Sequence, residues 1–67
     1  MIDKKNIGNK LVLLRGNRSQ KEVAKAIDVT VAALSNYENG LRIPKDEIKK
    51  KISKFYKVSV EKIFFED

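Results

Sequence analysis

The sequence contains no cysteine and no histidine among its 67 residues, and it has a single proline. These absences exclude a disulfide framework, a zinc site built from thiolates or imidazoles, and catalysis by any Cys/His pair. A chain of this length forms one small domain, residues 1–67. Its stability depends on helix packing, on capping, or on a partner subunit.

Long hydrophobic runs are also missing. No apolar stretch approaches the roughly 20 residues that span a bilayer, and the N-terminal segment MIDKKNIGNK lacks the features of a signal peptide. We therefore expect a cytoplasmic protein without a membrane partner. No acidic pair stands beside a nucleophile, and so small a domain has little room for a ligand cavity of about 300 Å³. We expect no enzymatic activity, no cofactor, no metal and no small-molecule ligand.

Basic residues dominate the charge of the chain. Fifteen Lys and Arg residues against nine Asp and Glu residues give a net charge of +6. In a domain this small, such an excess is typical of a protein that binds a polyanion. A lysine-rich surface also serves solubility alone, so charge by itself leaves both interpretations open.

Helical periodicity runs along the whole chain, and no segment alternates convincingly with the period of a strand. In the first helix, Ile7, Leu11 and Leu14 recur at intervals of four and three. Val12 and Leu13 widen this stripe and predict burial on more than one side. The chain as a whole predicts an all-α fold, a compact bundle of five short helices.

Two short helices separated by a tight turn occupy the middle of the chain. Ser19 caps the first of them, with Glu22 three residues later as in a capping box, and Thr30 caps the second. Asp28, between them, tolerates the left-handed backbone that a tight turn needs. The pair spans about residues 20–39, which is the spacing of a DNA-binding helix-turn-helix.

The second helix of this pair has two different faces. At about 100° per residue, Ala33, Leu34 and Tyr37 fall on one side, and Gly40 follows the helix end. The other side carries small or mildly polar side chains without a long charge: Val31, Ala32, Ser35 and Asn36. Such a face can lie close against the base edges of a duplex.

Two more helices complete the predicted bundle. Pro44 marks the start of the fourth, whose outer face is rich in lysine: Lys49, Lys50, Lys54 and Lys57. We expect most of these lysines to be solvated. A last helix capped by Ser59 places Phe64 in the core. Ile63 and Phe65 are left as exposed residues and candidate dimer contacts.

The segment SQKEVAKAIDVTVAALSNYENGLRIP resembles the Cro/repressor-type helix-turn-helix family, also called the XRE type. The resemblance extends from about Ile7 to Phe64. It implies a lambda-repressor-like fold and a double-stranded DNA operator as partner, with a homodimer bound to a palindromic site. Asp28 departs from the family, which usually has Gly in the turn.

The resemblance also implies roles for individual residues. The base-reading positions are Val31, Ala32, Ser35 and Asn36. The phosphate-contacting positions are Gln20, Asn39 and Arg42, and we add Lys45 because it lies next to the loop. The structural positions are Ala24, Ile27, Leu34, Tyr37, Glu38 and Gly40. Asn36 is the best hydrogen-bonding reader, because an amide pairs with adenine N6 and N7. Glu38 matches a family acid that pairs with an Arg of the first helix, here Arg15.

We therefore expect a transcriptional regulator, a repressor of phage or mobile-element type, that reads the major groove with the helix at about 31–39. One alternative is an antitoxin that represses its own operon, which the neighbouring reading frame would decide. Another is a protein-interaction module that keeps the fold without reading DNA. Such a module would tolerate substitution of Asn36 and Gln20.

Overall fold

The structure, a computed structural model, describes residues 3–66. Its helices follow one another as α1 (Lys4–Arg15), α2 (Gln20–Ala26), α3 (Val31–Glu38), α4 (Asp46–Tyr56) and α5 (Val60–Phe64). Across residues 3–66, helix is the only regular secondary structure, which confirms the all-α prediction and the five helices. None of these helices is long and apolar enough to cross a membrane.

Four of the five helices begin at a side-chain cap. The capping residues are Asp3, Ser19, Thr30 and Ser59. Each side-chain oxygen accepts a bond from a backbone N–H of the first turn, one of the donors that has no partner within the helix. α4 starts differently, since its N-cap is Lys45, without a side-chain cap bond. Its first turn contains Asp46 and Glu47, whose negative charge favours a helix N-terminus.

The turn between α2 and α3 is closed by Asp28 in the left-handed region, with φ 59°. The N–H of Asp28 donates to the carbonyl of Lys25 at 3.2 Å, and that of Val29 donates to the carbonyl of Ala24 at 2.9 Å. This pair of bonds is a Schellman motif, which usually has glycine at the left-handed position. An aspartate adopts this backbone at modest cost. The turn of the motif is therefore complete although it lacks the usual glycine.

The hydrophobic core is built mainly where α1 packs on α3 and α5, α2 packs on α3, and α4 packs on α5. Its buried members are Ile7, Leu11, Val23, Ala24, Ile27, Leu34, Tyr37, Ile52, Ile63 and Phe64. Every helix contributes at least one of them. Leu34 and Tyr37 anchor α3 in this core, so its opposite side is the one left for solvent or a partner.

The predicted widening of the α1 stripe by Val12 and Leu13 is wrong. Val12 is 42% exposed and Leu13 is 80% exposed. α1 packs on its neighbours along one stripe, in which Ile7 and Leu11 are buried and Leu14 is half-buried. Residues one and two positions beyond Leu11 are turned away from that stripe by the helical twist.

The exposure expected for Ile63 is also wrong, whereas that of Phe65 is confirmed. Ile63 is 1% exposed and Phe65 is 53% exposed. α5 packs against both α1 and α4, so two consecutive side chains, Ile63 and Phe64, are covered from different sides. The hydrophobic residue near the end of the chain that stays available for a dimer contact is Phe65.

Lys49 of α4 is largely buried, whereas we expected it to be solvated. The side chain of Lys49 is only 14% exposed, and its Nζ lies 5.7 Å from the Phe64 ring centroid and 4.9 Å from that of Phe65. It also lies 3.6 Å from Asp46 Oδ1. Lys49 therefore covers aromatic surface with its stem and charge, while Lys50, Lys54 and Lys57 are exposed.

The buried face of α3 makes a testable prediction. Replacing Leu34 by alanine should lower the free energy of unfolding by about 2–5 kcal/mol, because it leaves a cavity in the core. Urea unfolding followed by circular dichroism measures the change. Leu13→Ala is the matched control, since the same atoms are removed from an exposed side chain and the change should stay within about 0.5 kcal/mol. Equal losses in the two variants would contradict the assignment of the faces.

Candidate nucleic-acid interface

The side of α3 that faces away from the core is a narrow, uncharged strip. Val31 is 43% exposed and Ala32 is also exposed, while Ser35 and Asn36 are half-buried. These positions are related by steps of one, four and five residues, which puts them on one side of a helix. The four residues predicted to read bases thus share a single face of α3.

The C-terminal end of α3 determines the path of the chain beyond it. Gly40 has φ 72°, and its N–H donates to the carbonyl of Tyr37 at 3.2 Å. The N–H of Leu41 donates to the carbonyl of Asn36 at 2.9 Å, which completes a Schellman motif. Three of the predicted phosphate contacts follow α3 in this segment, and all are exposed: Asn39, Arg42 and Lys45.

Glu38, the last residue of α3, is a buried carboxylate with two partners. It is 5% exposed. Its Oε2 accepts a bond from Arg15 Nε at 2.8 Å, and its Oε1 accepts a bond from Gln20 Nε2 at 2.7 Å. Arg15 is the last residue of α1 and Gln20 is the first of α2. The ion pair expected between Glu38 and Arg15 is formed, and together with the bond from Gln20 it joins three helix ends.

This arrangement explains how a carboxylate is stable at so buried a position. Each oxygen of Glu38 accepts one hydrogen bond, and the Arg15 guanidinium supplies the opposite charge, so neither oxygen is buried without a partner. Arg15 Nη1 also donates to the carbonyl of Arg18 at 2.9 Å. The same guanidinium thereby holds the connection between α1 and α2.

Gln20 is consequently oriented by α3. Its side chain is half-buried, and its amide nitrogen points towards Glu38. An amide nitrogen carries two N–H donors, of which the Glu38 carboxylate takes one. Gln20 is thus joined to the end of α3, whereas the other three predicted phosphate contacts lie beyond that end. Contact of any of the four with phosphate stays a prediction.

Sequence reasoning missed Gly8, which allows α1 to approach the end of α3. A β-carbon at Gly8 would collide with the backbone carbonyl of Glu38, and it would lie 3.0 Å from the backbone nitrogen of Gly40. Any larger residue would push α3 away from α1. The available signal was a glycine inside a helix-periodic segment, which costs about 1 kcal/mol relative to alanine and therefore suggests a packing reason.

Sequence reasoning also missed a contact between the Arg18 guanidinium and the aromatic rings at the end of α4. Arg18 Cζ lies 5.5 Å from the Phe55 ring centroid and 6.0 Å from that of Tyr56. The Tyr56 hydroxyl is buried and forms no hydrogen bond to other residues of the range 3–66. Burial raises the pKa of Tyr56, and the Glu38 charge raises it further, while Arg18 and Arg15 act in the opposite direction.

Comparison with known proteins agrees with this geometry. A family model described as helix-turn-helix matches residues 10–63, which are most of the chain. The matched range includes all of α2, α3 and α4. A search of the curated proteins finds no match.

The Glu38 cluster makes a prediction about stability. Glu38→Gln should lower the free energy of unfolding by about 3 kcal/mol, because the guanidinium of Arg15, whose side chain is 21% exposed, loses its counter-charge. The amide of the new side chain would also direct its N–H groups towards Arg15 or Gln20, which are themselves donors. Asp28→Asn is the matched control, as it removes a carboxylate that is 91% exposed and 3.8 Å from Lys51 Nζ.

The control should change stability by no more than about 0.5 kcal/mol. Urea unfolding at neutral pH measures both variants. A Glu38→Gln variant as stable as the control would show that the buried pair contributes nothing to the positioning of α3.

The raised pKa of Tyr56 predicts a loss of stability in alkali. Below its ordinary pKa of 10.0, the phenol is protonated in both the folded and the unfolded chain. As the pH rises through 10, the unfolded chain releases this proton first, so the free energy of unfolding falls until the pH passes the higher folded pKa. Tyr56→Phe should therefore lose less stability than the parent between pH 9 and about pH 11, as measured by urea unfolding. If the free energy of unfolding fell equally with pH in the parent and in Tyr56→Phe, the raised pKa of Tyr56 would be contradicted.

Proposed function

The chain belongs to the XRE/Cro-type helix-turn-helix family of DNA-binding regulators, and we propose that it is a non-enzymatic transcriptional repressor of phage or mobile-element type. Residues 1–67 act as a single DNA-binding domain that recognises a short operator in double-stranded DNA. α3 enters the major groove and reads base edges, as the second helix does in this class of motif.

The observation that carries this proposal is the division of α3 into a buried side and an exposed uncharged side. Leu34 and Tyr37 hold the helix in the core. Val31 and Ala32 are exposed on the other side, and Ser35 and Asn36 are half-buried there. A helix without long charged side chains on its outer face can approach base edges closely, so we assign base reading to these four residues.

Phosphate contacts fall to residues outside that face. Asn39, Arg42 and Lys45 are exposed in the segment after α3, and Gln20 is bonded to the end of α3 through Glu38. A net charge of +6 adds long-range attraction to the duplex. Such contacts position a protein on DNA, whereas base contacts specify the sequence.

Two copies acting on a palindromic operator fit this proposal best. A dimer of this class presents two recognition helices about one helical turn, or roughly 34 Å, apart. The exposed Phe65 lies with Val60 and Lys50 around a surface cavity of about 360 Å³. We propose this end of the molecule as the contact between the two copies.

The proposal predicts different consequences for specific and non-specific binding. Asn36→Ala should weaken binding to the operator by about 1–3 kcal/mol and leave non-specific affinity almost unchanged, because the amide contacts a base and not a phosphate. The operator is first selected from random duplexes. Fluorescence anisotropy with operator and scrambled DNA then measures both affinities.

Two further variants serve as controls. Asn9→Ala removes the same amide from an exposed position of α1 and should change neither affinity. Lys45→Ala should weaken binding to both duplexes. It should also reduce the slope of log affinity against log salt concentration by about one. An Asn36→Ala variant that weakens both duplexes equally would contradict base reading. Failure of the selection to enrich any operator, with Asn36→Ala and Gln20→Ala indistinguishable from the parent, would favour a protein-interaction module.

A further inference from the structure

The exposed face of α3 lacks the side chains that usually read guanine. Residues 31–38 contain neither lysine nor arginine. The one charged residue of the helix is Glu38, which is buried and bonded to Arg15 and Gln20. Bidentate pairing of Arg or Lys with guanine O6 and N7 is the commonest specific contact in the major groove. α3 has no means of making it.

The hydrogen-bonding side chains of this face are those of Ser35 and Asn36. Asn39 Nδ2 donates to Ser35 Oγ at 3.2 Å, which uses one acceptor site of the serine oxygen and leaves its O–H free to donate. The side chain of Asn36 forms no hydrogen bond to other residues of the range 3–66. Among the base-reading positions, Asn36 therefore supplies the amide that is ready to pair with a base.

The remainder of the face is apolar. Val31 presents its isopropyl group, 43% exposed, and Ala32 presents a methyl group. Placed against the amino or carbonyl group of a base, these side chains would leave that polar group without a partner, which is unfavourable. The apolar group on the major-groove edge of the standard base pairs is the 5-methyl group of thymine. An A·T pair offers both the methyl group that suits the apolar side chains and the adenine edge with which the Asn36 amide pairs bidentately.

We propose that α3 reads A·T pairs, with Val31 and Ala32 packed on thymine 5-methyl groups and Asn36 paired with an adenine. This inference rests on the proposed function and assigns its operator to a chemical class. Guanine, where the operator contains it, lies outside the segment that α3 contacts. Discrimination between operators then depends on the positions of the thymine 5-methyl groups along the major groove.

Removal of single methyl groups from the operator tests this inference. In the operator selected from random duplexes, each thymine is replaced in turn by deoxyuridine, which lacks the 5-methyl group and pairs identically. At one or more thymines of each half-site, affinity should fall about fourfold, which corresponds to about 0.8 kcal/mol for one buried methyl-sized group.

A comparison of two valine variants assigns the effect to α3. In Val31→Ala, the deoxyuridine penalty should disappear at the thymine that Val31 contacts, since the two changes remove the same interaction. Val12→Ala is the matched control, because Val12 is 42% exposed on α1, and its penalties should equal those of the parent. Circular dichroism checks that both variants fold, as alanine favours helix more than valine does.

The outcomes separate this inference from the function on which it rests. An enriched operator that tolerates deoxyuridine at every thymine overturns the inference and leaves sequence-specific binding intact. Penalties that persist undiminished at every thymine in Val31→Ala overturn it as well. If no sequence is enriched from random duplexes at any salt concentration, the proposed function fails and the inference fails with it.

Discussion

The placement of α3 depends on one buried carboxylate. Glu38 bonds to Arg15 at the end of α1 and to Gln20 at the start of α2, so the helix that carries the uncharged face is tied to both of its neighbours. Gly8 lets the backbones of α1 and α3 come close enough for this arrangement. Breaking such a pair leaves an uncompensated charge, which makes the geometry strongly preferred once it has formed.

The same cluster relates base reading to phosphate binding. Gln20 is held by the residue that ends α3, and the chain that carries Arg42 and Lys45 leaves α3 through the motif at Gly40. On the proposed function, the groups that contact phosphate and those that contact bases are parts of one rigid unit. The position of the protein along the phosphate backbone of the DNA then determines which base pairs α3 contacts.

Left-handed residues govern three of the four connections between the helices. Asp28, Gly40 and Lys57 each end a helix with a positive φ, and after each of them the next N–H bonds back to a carbonyl five residues earlier. Only one of the three is glycine. The small conformational cost at Asp28 and Lys57 is offset by hydrogen bonds that satisfy carbonyls at helix ends. Short helices can therefore be joined without long loops.

Much of this protein was determined by the sequence alone. The helices were predictable because Ser19, Thr30 and Ser59 are local caps and because the apolar residues of each helix repeat at helical spacing. The uncharged face of α3 followed from the same periodicity. Tertiary structure decided what depends on neighbouring helices: the exposure of Leu13, the burial of Ile63, the contact of Lys49 with aromatic rings, and the bond between Gln20 and Glu38. Local spacing places a residue on a side of its own helix, but which sides are covered depends on how the helices pack.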